Sequence, residues 1–205
     1  MAHASNVTHA APAGTATGLD HRKLLMWAFL GSDCMFFGSL IATYLLYHGR
    51  SVTGPYPYDV FNIPYTSVSA FVLLMSSLTM VLALAAIQKG DMRGLKVWLL
   101  ATALLGAVFL GGQFFEFTTF VHDGLTLRTN LFGTTFFVLT GFHGAHVTVG
   151  VIILLSFFVM AMRGKLVPEQ HLNIELAGLY WHFVDVVWIV IFTVVYLVEA
   201  PNIVA

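Results

Sequence analysis

The sequence predicts an all-α polytopic membrane protein, a five-transmembrane-helix bundle with its N-terminus cytoplasmic and its C-terminus outside. Three observations carry that expectation. Of the 205 residues, 58% are hydrophobic and 9% are charged, where a soluble domain carries about 25% charged residues. A water-facing surface could not be covered by so few charges. The charges also fall in clusters separated by long gaps, and the gaps are continuous apolar runs rather than alternating segments of about ten residues. Since only helices or closed barrels satisfy every backbone group in lipid, continuous runs select helices.

Residues 1–20 are rich in Ala, Thr, Gly and His, with no Lys or Arg and no apolar block. They lack both parts of a secretory signal and read as a flexible N-terminal tail. A single transmembrane bundle is expected over 21–205, with spans at about 24–48, 64–88, 96–121, 131–162 and 174–198. Each is long enough for a hydrocarbon layer of about 30 Å. The connections are short except for 49–63, whose Gly, Pro and Tyr suggest an ordered external loop at the interface.

Orientation follows from the basic residues. Arg22, Lys23, Lys89, Arg93, Lys96, Arg163 and Lys165 lie on one side and only Arg50 and Arg128 on the other, seven against two. An excess of Lys and Arg marks cytoplasmic loops. Trp27, Tyr47, Trp98 and Tyr196, near span ends, read as ordinary interface anchors. Small residues recur at helix-packing spacing: Gly38 with Ala42, Ser69 with Ser76, Gly106 beside Gly111 and Gly112, and Gly141 with Ala145. They are expected to let helix backbones approach closely.

Several function classes are excluded. A formal net charge of −1 gives no basic surface to neutralise phosphates, so nucleic acid is not a partner. The lone cysteine, Cys34, can make no intramolecular disulfide and belongs to no zinc-type cluster.

Function must then reside in the polar groups inside the bilayer, because each costs at least about 2.5 to 3.5 kcal/mol on insertion scales. Asp33 and Asp185 each lie roughly 15 Å, counted along the helix, beyond the nearest charged end and so near the midplane. His182 is one turn before Asp185, and His143 and His146 flank the centre of the fourth span. Glu116 falls near the outer surface, with Gln113 one turn away on the same face. His143 with His146, and His182 with Asp185, are i,i+3 pairs that project from one helical face. Three readings compete. The groups can be hydrogen-bonded struts between helices; the carboxylates can bear on proton movement or a lipid head group; or the set can ligate a metal or haem. The last has suitable ligand types but lacks the glutamates of bundle di-metal sites. A stand-alone proton or ion transporter, or a membrane metalloprotein, is the alternative class. Transporters usually show inverted repeats or broken helices, and no proline falls in the middle of any span.

Four strings carry a resemblance. They are SDCMFFGSLIATY at 32–44, GGQFFEF at 111–117, TTFFVLTGFHGAHVTVG at 134–150 and YWHFVDVVW at 180–188. In this order they resemble subunit III of the haem-copper oxidases, over every span. The chain is similar to the short five-helix bacterial form, which lacks the first two of the seven helices of longer members. Asp33 stands where most cytochrome c oxidase members carry Glu, and the Ser-Asp-Cys string also resembles the cytochrome o ubiquinol oxidases.

The resemblance implies a subunit of an aerobic respiratory oxidase in a bacterial inner (plasma) membrane, not catalytic alone. It implies no haem, copper or other cofactor on this chain, with haem and copper in partner subunits. The expected partners are oxidase subunit I by direct packing, subunit II and phospholipids, and the expected role is to hold lipid and support proton uptake. Asp33, Gln113, Glu116, His143, His146, His182 and Asp185 are then expected at a lipid cleft or a subunit interface. Cytochrome c is the favoured donor, with a quinol oxidase as the alternative.

Overall fold

A computed structural model describes residues 18, 20–51, 54 and 61–197. It contains five long helices: α1 (His21–Tyr47), α2 (Ile63–Gln88), α3 (Met92–His122), α4 (Leu131–Met162) and α5 (His171–Ile191). A 3-10 turn, Pro168–Gln170, leads into α5, and a π-helical segment, Phe192–Leu197, continues it. All five are long and apolar enough to cross a membrane, and the described residues contain no strand. The expected five-helix, all-α membrane architecture is therefore the one observed. The expected tail lies almost wholly outside the described residues, as does most of the loop at 49–63.

The helix ends are chemically marked. Asp20, Asn62, Asp91 and Asn130 cap α1 to α4, each accepting hydrogen bonds from first-turn backbone N–H groups, which have no partner within the helix. Asp91 takes two of them, from Arg93 and Gly94, which is why α3 begins before Lys96. At the far ends Gly49, Gly90, Gly124 and Gly164 adopt φ between 66° and 87°, the left-handed geometry that terminates a helix at least cost on glycine.

Helices α2 to α5 form the bundle proper. α2 pairs with α3 across a tight turn, α3 packs on α4, and α5 lies against both α2 and α4. One indole ties all four. Trp181 of α5 is fully buried, its ring occupies the notches left by Gly106 of α3 and Gly150 of α4, and its Nε1–H donates to Ser76 Oγ of α2 at 2.9 Å. By contrast α1 buries only Phe37 and Tyr44. It is attached to α4 and α5 through an end ion pair between Lys23 and Glu175 of α5 at 2.5 Å, Phe36 edge-on to Phe142, and Tyr44 against Phe132.

Two expectations need correction. Tyr196 is no interface anchor: it is fully buried and packs against Phe61, Phe136 and Phe192. The last turn of the fifth span bends inward as a π-helix, so a residue counted near the end lies in the core. The small residues also divide. Gly106 and Gly112 meet neighbouring helices, whereas Cβ atoms at Gly38, Gly111 and Gly141 would meet nothing within 4 Å. Ala42 and Ala145 are likewise exposed. Spacing shows that two residues share a face, and does not show whether that face is covered.

Candidate functional site

The polar groups of the spans do not gather into one centre. They form four separate arrangements.

The first joins α1 to α4. His146 Nδ1–H donates to the Phe142 carbonyl at 2.8 Å, which fixes the ring and leaves Nε2 facing Asp33 Oδ2 at 3.5 Å. At that separation the contact is electrostatic rather than a full hydrogen bond. The Asp33 side chain retains 13% exposure and that of His146 21%, because α1 is a peripheral helix. The backbone carbonyl of His146 also accepts from the Tyr180 hydroxyl at 2.9 Å.

Beside this pair runs a largely apolar groove of about 660 Å³ between α1, α4 and α5, lined by Phe29, Phe142, His146, Ile153, Asn173 and Tyr180 among others. Asn173 of the lining accepts a hydrogen bond at Oδ1 from Arg22 Nη1 at 3.1 Å.

The second arrangement is His143, one turn from His146 yet in a different setting. Its ring is buried in an aromatic box, stacked on Trp188 at 4.9 Å and edge-on to Phe109 at 6.0 Å. The ring nitrogens have no hydrogen-bond partner among the described residues. The expected shared face of His143 and His146 is therefore split by the packing of α3 and α5 against α4.

In the third, Ser77 of α2 meets His182 Nδ1 of α5 at 2.6 Å. Asp185, buried one turn on, lies beside the same hydroxyl. His182 itself is half-buried.

The fourth is a buried polar knot at the Arg50/Arg128 end of the bundle. Thr66 Oγ1 donates to Glu116 Oε1 at 2.5 Å, and Gln113 Nε2 donates to Glu116 Oε2 at 3.2 Å. The Tyr196 hydroxyl lies beside the same carboxyl. Glu116 retains 4% exposure, so two hydrogen-bond donors hold an almost fully buried carboxyl.

Among the described residues no group of three or more His, Cys, Asp and Glu side chains could hold a metal ion. His143, His146, His182 and Asp185 in particular do not converge. The sequence reading missed Ser77, Thr66 and Glu175 as partners. Serine and threonine are common in membrane helices for packing alone, so their types gave no signal. Glu175 could have been paired with Lys23 from equal depth on the same side.

A sequence model described as cytochrome c oxidase subunit III matches residues 8–200. The quinol oxidase subunit 3 of Bacillus spizizenii is 37% identical, over 96% of this chain and 97% of its own. The cytochrome c oxidase subunit 3 of Thermostichus vulcanus is 38% identical over 90% and 94%. The cytochrome bo(3) ubiquinol oxidase subunit 3 of Pseudomonas aeruginosa is 37% identical over 85% and 83%.

Proposed function

The chain belongs to the cytochrome c oxidase subunit III family, and from that premise we propose that it is the non-redox third subunit of a proton-pumping haem-copper oxidase. It packs against subunit I, works in a complex with subunit II, and has no catalysis of its own. The complex reduces oxygen with haem and copper held by partner subunits. As a multi-pass membrane protein it resides in a bacterial inner membrane, with its N-terminus in the cytoplasm on the strength of the seven-to-two basic bias.

The observation that carries the role is the groove between α1, α4 and α5. A largely apolar groove with Arg22 bonded to its lining Asn173 and the Asp33–His146 pair beside it suits a phospholipid. The acyl chain lies along Phe29, Phe142 and Ile153, and the head group rests near Arg22. Such a lipid excludes water from the Asp33–His146 pair and fills the groove between α1, α4 and α5. The chain thereby supports proton uptake indirectly, by keeping its neighbour's surface in order.

Donor choice does not reside here. Quinol and cytochrome c oxidase relatives stand at 37% and 38% identity, and electrons enter through other subunits. Cytochrome c remains the favoured donor, on the resemblance of residues 140–147 and 180–188.

The test is lipid retention and endurance in the purified oxidase. Ala145→Trp fills the groove from α4 and is expected to lower co-purifying phospholipid, leave initial oxygen consumption intact and shorten activity over many turnovers. Unchanged lipid content and endurance would overturn the reading.

A further inference from the structure

Two polar arrangements reach the lipid-facing surface of this chain deep in the membrane, and they differ in one respect. Asp33 and His146 face each other at 3.5 Å, a charge contact made within the chain. Among the described residues His182 is held through Nδ1, by Ser77, and its Nε2 has no partner. The ring is half-buried. It lies seven residues beyond the Lys23–Glu175 ion pair, about 10 Å along the helix, and Ser77 lies about 18 Å from Lys89. Both are inside the hydrocarbon layer. Lipid tails offer no hydrogen bond, and polar side chains at this depth almost always face protein or a water-filled cavity.

The surrounding surface has the form of a helix-packing seam. On α5, His182, Val186 and Ile189 follow i, i+4, i+7 spacing. On α2, Leu74, Leu78 and Val81 do the same, and these five apolar residues are all exposed. The Ser77–His182 bond joins the two stripes at mid-depth. Two exposed stripes meeting at one polar point offer a face on which a third helix fits, with a side chain opposite His182 to fix its register. Interhelical hydrogen bonds of this kind are a recognised adhesive between membrane helices.

We propose that the α2/α5 face centred on His182 docks a membrane-spanning helix of another oxidase subunit, and that this helix presents a hydrogen-bonding side chain to His182 Nε2. The inference rests on the oxidase-subunit reading and adds which face makes the contact and through which atom.

The test uses the whole complex, isolated through a tag on this chain. A photoreactive amino acid is placed at Val186, at Leu78 or, as a control, at Val108 on the outer face of α3. Val186 and Leu78 are expected to cross-link to another subunit, and Val108 is not. Cross-links only to lipid, only to a second copy of this chain, or only from Val108 would overturn the proposal. A parallel arm titrates detergent against the complex: His182→Phe should release this chain at lower detergent, whereas His182→Gln, which keeps a donor and an acceptor, should hold it as the parent does. Equal release by both variants would count against His182 as the point of contact. Failure of the parent chain to bring haem with it would instead overturn the oxidase reading. A haem-bearing complex in which Val186 and Leu78 stay silent overturns this inference alone.

Discussion

Replacing Gly150 with alanine tests whether the Trp181 notch holds the bundle together. The added Cβ would stand 2.7 Å from Trp181 Cζ3 and 2.8 Å from Cε3, where carbon atoms normally rest about 3.5–4.0 Å apart. A shift of about 1 Å is therefore required. The indole has nowhere to retreat. Its other edge already fills the Gly106 notch, with Cη2 2.5 Å from where a Cβ there would be, and its Nε1–H is held by Ser76 Oγ at 2.9 Å. Overpacking of this kind costs about 1–3 kcal/mol, and loss of the Ser76 bond would add about 1 kcal/mol. Unfolding of the purified subunit in mixed micelles, followed by tryptophan fluorescence, measures the difference. Trp181→Phe supplies the control, since a smaller ring leaves space for the methyl. Gly150→Ala should destabilise the parent by about 1–3 kcal/mol and cost clearly less on the Trp181→Phe background. An equal penalty on both backgrounds, or none on the parent, would refute the reasoning.

Three further outcomes are expected. Asp33→Asn keeps shape and most polar contact, so initial oxygen consumption should remain while endurance over many turnovers falls; Asp33→Leu should do more harm, and loss of the first turnover in a fully haem-loaded Asp33→Asn complex would make Asp33 part of the proton path itself. Thr66→Val removes one donor from buried Glu116 and should lower stability by about 1–3 kcal/mol, with Thr66→Ser nearly neutral; equal effects of the two would dismiss the hydrogen bond. A cysteine at Ser5, in a Cys34→Ala background, should react with an impermeant thiol reagent only after the membrane is opened, and labelling of intact cells would reverse the topology.

The helices were legible because membrane insertion writes itself in composition. Charges are expelled to the ends, and Asp20, Asn62, Asp91 and Asn130 stand as caps where the runs begin. The family was legible in four strings that fall on four different helices. What the polar residues touch was not. His143 and His146 share a helical face by count, yet one lies in an aromatic box and the other faces Asp33 across the edge of a groove. Their difference is set by how α1, α3 and α5 pack around α4, and no one-dimensional period contains that. Tyr196 misled for a related reason, since the π-helical turn after Ile191 carries a terminal aromatic inward. The Trp181 notch shows the same limit: Gly106 drew notice as a small residue, but nothing in its spacing named the indole that fills it.

The central claim is that this chain serves a terminal oxidase without redox chemistry of its own. Isolation through a tag on this chain, in mild detergent, with the visible spectrum and oxygen consumption recorded before and after stripping the chain from the complex, tests it most directly. Haem absorbance and oxygen reduction should come down with the tagged chain. After stripping, both should stay with the partner subunits and the chain should be colourless. A solitary colourless protein at the first step, or haem that follows the stripped chain, would contradict it.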